Sequence, residues 1–210
     1  QGFSGDLRAA QRAAAEALQV TQSAGDAWLA ALIQIALGSS LVFARHFRDA
    51  LPVLSDALAA MRSCGDKVGQ TAARLWLALA HWQLNQRDRA MTQLDEALSL
   101  AQATQADYLF TTRTLLGMQD ARAMVPLLLQ AKQRGKHVAY IVRLLAAMGL
   151  DSITTHPGYQ LRVQTFGAFR VWRGDAEIGA REWTRKKARQ LLQLFITQRG
   201  RLIAREEIFE

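Results

Sequence analysis

Apolar positions recur at helical spacing through the first hundred residues. Around Ala50, Leu54, Ala57 and Leu58 they fall three and four apart, as one buried helix face requires. The same arrangement returns after a shift of 40 residues. Ala10, Ala50 and Ala90 align, as do Ala17, Ala57 and Ala97, then Leu18, Leu58 and Leu98, with acidic Glu16, Asp56 and Glu96 beside them. Leu54 and Leu94 match each other and the smaller Ala14. The turns agree too: Ser-Ala-Gly-Asp at 23–26 recurs as Ser-Cys-Gly-Asp at 63–66. Gly25 and Gly65 stand where helices stop and left-handed backbone is needed, and Asp26 and Asp66 follow as N-caps. Each unit is therefore predicted to be a pair of helices, whose fixed small alanines let the two backbones approach. Residues 1–150 are expected to form a solenoid of such hairpins. Residues 6–24 carry the second-helix pattern with no first helix before them. Toward residue 150 the repeat decays, with Leu116 and Gly117 as a partial echo. Shorter helices are expected at about Asp120 to Arg134 and His137 to Met148, broken at Gly135 and Gly149, as a hairpin capping the stack.

The pattern changes near Leu150. Residues 151–159 hold the helix-hostile Thr154, Thr155, Pro157 and Gly158 and read as a linker. Alternation then begins, with Leu161, Val163 and Thr165 on one face, then Phe169 and Val171 opposed to Ala168, Arg170 and Trp172. Gly174-Asp175 is a tight-turn pair, and Ala176 to Ile178 returns as a short strand. From Thr184, a predicted N-cap, helical spacing resumes through Ala188, Leu191, Leu192 and Phe195 to Gly200, and RLIAREEIFE begins another helix. Residues 160–210 thus read as a small α+β domain, with Trp172 and Trp183 as its core aromatics.

Composition narrows the class. Half of the 210 residues are apolar and only 3 are Pro, which excludes collagen-like and disordered chains. Cys64 is the single cysteine and has no partner for an internal disulfide, so a cytoplasmic location is expected. The longest apolar stretches, Ala27 to Gly38 and Leu75 to Trp82, are interrupted by Gln34 and His81 and fall short of the ~20 residues of a membrane span. No membrane partner is expected. The start, QGFSGDLRAA, has neither a Met nor a signal-peptide pattern and reads as a cut within a longer protein. The net charge of +8 is unevenly spread. Residues 1–150 hold 15 basic and 11 acidic groups, whereas residues 151–210 hold 11 and 7, so the positive excess is denser in the last sixty. That is the bias of a polyanion-binding module.

Catalytic chemistry is not legible. His46, His81, His137 and His156 are scattered, without carboxylate or Cys partners at metal-ligand spacing. Gly135-Lys136 lacks the preceding Gly of a phosphate-cradling loop. No nucleophile, base and orienting group form a set. Neither an enzyme nor a metal or cofactor is predicted.

On these residues the first region resembles the tetratricopeptide family. Leu37 and Gly38 match its first helix and Ala50, Leu54 and Ala57 its second; Leu77, Ala78, Ala90, Leu94 and Ala97 repeat the set. Gln34, Leu41, Arg74 and His81 stand where the family often has Trp and Tyr, a terminal Pro is missing, and the period is 40 rather than ~34. These departures favour a longer-helix variant, such as that of large bacterial regulators. In such a stack the first helices line the concave face. Here they would present Leu32, Ile35, Val42, Ala72, Leu75, Leu79 and Trp82 as an apolar groove for a hydrophobic peptide, a small effector or another domain of the same protein. For any one of these side chains, packing between helices is the favoured reading over a place in the groove.

The last sixty residues resemble the OmpR-type winged-helix domain, in the version found in antibiotic-regulatory activators and in large ATP-dependent regulators of the LuxR and maltose-regulator kind. The resemblance rests on Leu161, Gly167, Phe169, Val171, Trp183, Arg185, Lys187, Ala188, Leu191, Leu192, Gly200, Arg205, Glu206 and Glu207. Ala204 stands where the family usually has a capping Ser or Thr. In the family the recognition helix and wing come after the point matched by Glu210, so only the N-terminal half of the DNA-binding domain is expected here. Arg185, Lys186, Lys187 and Arg189 would contact DNA phosphates in the full-length protein, or else form a solvated helix face.

Together the resemblances imply a mainly α chain: a tetratricopeptide-like helical-hairpin solenoid of period 40, then a small α+β partial winged helix. The implied function is the signal-receiving solenoid of a bacterial transcription activator, joined to the start of its DNA-binding domain and preceded by a sensor ATPase. The implied partners are promoter DNA for the full-length protein, with weak binding or none for residues 1–210, an occupant of the groove, and further copies of the chain. The alternative is a free-standing protein-interaction scaffold that does not bind DNA.

Overall fold

The computed structural model describes residues 6–150, 161–173, 176–183 and 186–201, with 203, 205 and 208. The protein is mainly helical (71%) and divides into two compact units, Gln1–Gly158 and Tyr159–Glu210.

Five helices of nearly equal length build the first unit: α1 (Leu7–Ala24), α2 (Ala27–Phe43), α3 (Phe47–Ser63), α4 (Lys67–Gln83) and α5 (Arg87–Thr104). Each packs on the next, and α2 also packs on α4. The turns between them are closed by one device. Gly25, Arg45, Gly65, Asn85 and Gln105 all adopt left-handed backbone, one every twenty residues. After each of them an amide reaches back to the last helical turn: Asp26 to the Thr21 carbonyl at 3.0 Å, His46 to Leu41 at 2.8 Å, Asp66 to Met61 at 3.0 Å, Gln86 to His81 at 2.9 Å and Ala106 to Ala101 at 3.0 Å. This bond satisfies a carbonyl that the helix end would leave orphaned. The 40-residue repeat is thus two helix-and-turn steps of twenty. Asp26 and Asp66 cap α2 and α4 as their positions predict, accepting from Leu29 N and Gly69 N at 2.9 Å each.

The repeated residues are the core. Ala50, Leu54 and Ala57 are fully buried, as are Ala90, Leu94 and Ala97. Gly38 shows why the spacing is strict: a Cβ there would stand 2.5 Å from Leu54 Cγ and Cδ2, so α2 and α3 approach this closely only without a side chain. In α1, the first helix of the array, the corresponding Ala10, Ala17 and Leu18 are only half-buried. Pro52 sits inside α3, where it offers no N–H to the carbonyl of Arg48, yet the helix continues. Packing of the apolar face overrides a local propensity that opposes it.

After α5 the repeat stops. Only α6 (Tyr108–Thr111) forms where a further first helix would run, followed by irregular chain and a 3-10 turn, Ala121–Met124. Thr111, Thr112 and Thr114 disfavour helix, and Met118 N instead bonds the Leu109 carbonyl at 3.0 Å. The echo at Leu116-Gly117 is therefore not helical. α7 (Val125–Gln133) and α8 (Val138–Ala147) then pack on each other, and α7 also packs on α5.

The second unit holds three short strands, β1 (Leu161–Gln164), β2 (Arg170–Arg173) and β3 (Ala176–Glu177), antiparallel in the order β1-β2-β3. Val163 lies opposite Val171, and these two make the apolar side of the sheet: Val171 is buried and Val163 half-buried. Leu161 is exposed, and Thr165 falls outside the strand. α9 (Lys186–Thr197) follows, with Leu191 and Leu192 half-buried and Phe195 exposed. The linker 151–159, Gly174-Asp175, Thr184 and most of the last ten residues lie outside the described residues. Among the described residues no helix is long and apolar enough to cross a membrane.

Candidate functional site

Helices α2 and α4 bring the predicted groove residues together, but mostly as core. Ile35, Ala72 and Leu75 are fully buried between helices, and Leu32 is half-buried against the same core. Trp82 is half-buried, with the Arg87 guanidinium 3.6 Å above its ring. At these five positions the side chains pack against the helical core. The physical reason is that α2 packs on α3 and α4, and α4 packs on α3 and α5 as well, so an apolar helix face meets neighbours rather than solvent.

Val42 and Leu79 do border open space. They line a cleft of about 350 Å³ with Phe43, Phe47, Trp76, Met118 and Ala123 as apolar walls and Arg45, Gln83, Gln119 and Asp120 as polar rim. The irregular segment after α6 forms one side of it. Trp76 fixes that side, because its indole N–H donates to the Leu116 carbonyl at 2.8 Å. Two of the rim groups are engaged locally. Gln119 accepts from Arg113 Nε at 2.9 Å and donates to the Thr114 carbonyl at 2.6 Å, while Asp120 accepts from Arg122 N at 3.0 Å. Arg45 is different. It is exposed, and like Asn85 one repeat later it holds left-handed backbone (φ 65°), a conformation that costs a residue with a Cβ roughly 1 kcal/mol. Sequence reasoning missed this cleft. The repeat gives no signal for it, because the 40-residue register aligns Arg45 with Asn85, another left-handed residue that is not glycine.

A second polar centre lies between α4 and α5. Arg74 is almost wholly buried; its guanidinium pairs with Glu96 and donates to Gln93 Oε1 at 2.7 Å, and Arg62 reaches the same Glu96 at 3.5 Å. Arg74 Nε has no partner among the described residues. Burial pushes the Arg74 pKa down, Glu96 opposes this, and the group stays cationic. Glu96 belongs to the acidic column of the repeat, yet only here does a buried arginine meet it. At the far end, His137 Nε2 lies 3.0 Å from Asp95 Oδ1, so the turn before α8 is tied to α5. Tyr140 donates to Asp107 Oδ1 at 2.7 Å, and burial together with that bond pushes its hydroxyl pKa up. These contacts fasten the end of the array. Among the described residues no three His, Cys, Asp or Glu side chains gather as metal ligands.

In the second unit the predicted basic run is divided. Arg185 lies outside the described residues, Lys186 begins α9 and Lys187 is exposed. Arg189 faces the sheet, donating to the Phe169 carbonyl at 2.8 Å with its guanidinium 5.5 Å from the Phe169 ring. Arg189 thus ties α9 to the strand connection through one guanidinium nitrogen while the residue remains exposed. Arg162 lies 4.1 Å above the Trp172 ring, which Trp172 leaves open because it is only half-buried. Compared with protein-family models, curated proteins and solved structures, the chain has no match.

Proposed function

We propose that this chain joins a tetratricopeptide-like receiver to the first part of a winged-helix DNA-binding domain in a bacterial transcriptional regulator. The observation that carries the reading is the succession of two unlike units in one chain. Helices that turn back every twenty residues come first, with α2 packed on both α3 and α4; a separate unit follows, in which three antiparallel strands lead into the lysine-bearing α9. The tight Gly38 and Leu54 contact supports the tetratricopeptide likeness, and the denser positive charge of residues 151–210 supports the polyanion partner.

In this reading a ligand of the helical unit favours one arrangement of the regulator over another, changing how the DNA-binding part is presented or how copies assemble. The location is cytoplasmic, and the chain carries out no catalysis. Gel-shift assays of the complete polypeptide on DNA taken from upstream of its own gene provide the test. A specific retarded complex is expected. A complete protein that shifts no DNA would replace the regulator with a protein-interaction scaffold.

A further inference from the structure

The cleft beside Arg45 has the composition of a small-ligand site, and its contents specify a chemistry. Its volume, about 350 Å³, falls in the range of pockets that hold small molecules. Its exposed apolar surface comes from Phe43 and the half-buried Phe47, while Trp76, Leu79 and Met118 border it from the buried core. On the rim, Gln119 is tied to Arg113 and Thr114, and Asp120 caps the 3-10 turn through one oxygen. Among the described residues the side chains of Arg45 and Gln83 make no hydrogen bond or ion pair. The exposed Arg45 guanidinium, a positive, planar donor group without a protein acceptor, therefore stands at the edge of a cleft with both apolar and polar lining.

We propose that this cleft binds a small aromatic or aliphatic monocarboxylic acid, its apolar body against Phe43 and Phe47 and its carboxylate on the exposed Arg45 guanidinium, with Gln83 as a second donor. A guanidinium presents paired N–H groups that match the two oxygens of a carboxylate, and a bond of this kind discriminates by charge as well as shape. Asp120, on the same rim, disfavours ligands with a second negative charge, which confines the class to monoanions. The proposal rests on the helical unit acting as a receiver and supplies the ligand class that reading lacks.

The test uses 4-phenylbutyrate and the neutral 4-phenylbutanol as probes, titrated calorimetrically into the chain. The acid is expected to bind on the order of tenfold tighter than the alcohol. Arg45→Gln should remove that preference and leave alcohol binding unchanged. Arg45→Gly should remove it too while raising the melting temperature by a few degrees, because glycine relieves the left-handed turn; this shows that lost binding is not lost fold. Equal binding of acid and alcohol by the unaltered chain, or a preference that survives Arg45→Gln, overturns the proposal. Either result leaves DNA binding by the complete protein to be decided separately. Conversely, a protein that binds the acid through Arg45 but shifts no DNA keeps this site and loses the regulator.

Discussion

The two units bury apolar surface very differently. Among the described residues every fully buried apolar side chain lies in the helical unit, except Val171. The helical unit obtains this burial by repetition. One turn device is used again and again, and each helix packs on the next. The small unit pairs Val163 with Val171 and ties α9 to the sheet by Arg189, but Leu161, Phe166 and Phe195 remain exposed, Phe166 at 90%. Dense nearest-neighbour packing makes a rigid platform for a cleft. A thin core with exposed aromatics makes a module whose stability depends on little.

The largest expected effect follows from that difference. Leu54→Ala, at a fully buried position pressed against Gly38, should cost about 3–5 kcal/mol, read by native-state hydrogen exchange as lost protection across α2 to α5. Val171→Ala should cost about 1–2 kcal/mol, with its effect confined to β1, β2 and α9. Losses of equal size spread through both units would break the contrast.

Next in size is the buried arginine. Glu96→Ala strips Arg74 of its carboxylate and should cost about 2–3 kcal/mol in urea unfolding, because a charge is left buried with Gln93 alone. Arg74→Met, which removes the charge and the unpaired Nε together, should cost less than about 1 kcal/mol or stabilise. If Arg74→Met proves the more damaging of the two, the pair is a source of stability and not a tolerated polar inclusion.

A smaller effect tests the closure of the array. The Tyr140 hydroxyl keeps its proton more firmly when folded, so the unfolded chain releases a proton first as pH rises past 10. The stability from this group is complete below that pH and declines above it. Tyr140→Phe should lose about 1 kcal/mol at neutral pH and show a shallower decline between about pH 10 and 12 than the unaltered chain. Parallel alkaline curves would mean that the Asp107 bond does not hold α8 in solution.

Much of the helical unit was legible because its signals are local. Gly25, Asp26, Gly65 and Asp66 set turns and caps within four residues, and the 40-residue register followed from them. Its interior was less so. An apolar face announces burial without saying what does the covering, so Ile35, Ala72 and Leu75 read as core or as groove, core being favoured, and only the packing of α2 on α3 and α4, and of α4 on α5, shows what covers them. The cleft depends on an indole reaching a carbonyl forty residues further along the chain, which no periodicity encodes. Arg74 was visible only as a departure from an aromatic position; that it would be buried and paired is a product of packing. In the small unit the alternation located β1 and β2, whereas Arg189, counted among solvent-facing cations, turned out to hold α9 to Phe169.

The most direct test of the account is a salt titration of promoter-DNA binding by the complete protein, followed by fluorescence anisotropy with and without Lys187→Ala. Binding should weaken linearly on a log–log plot as salt rises, and the substitution should reduce the slope by about one phosphate contact. Binding that is absent, or that ignores salt and Lys187 alike, would contradict the claim that the second unit begins a DNA-binding domain.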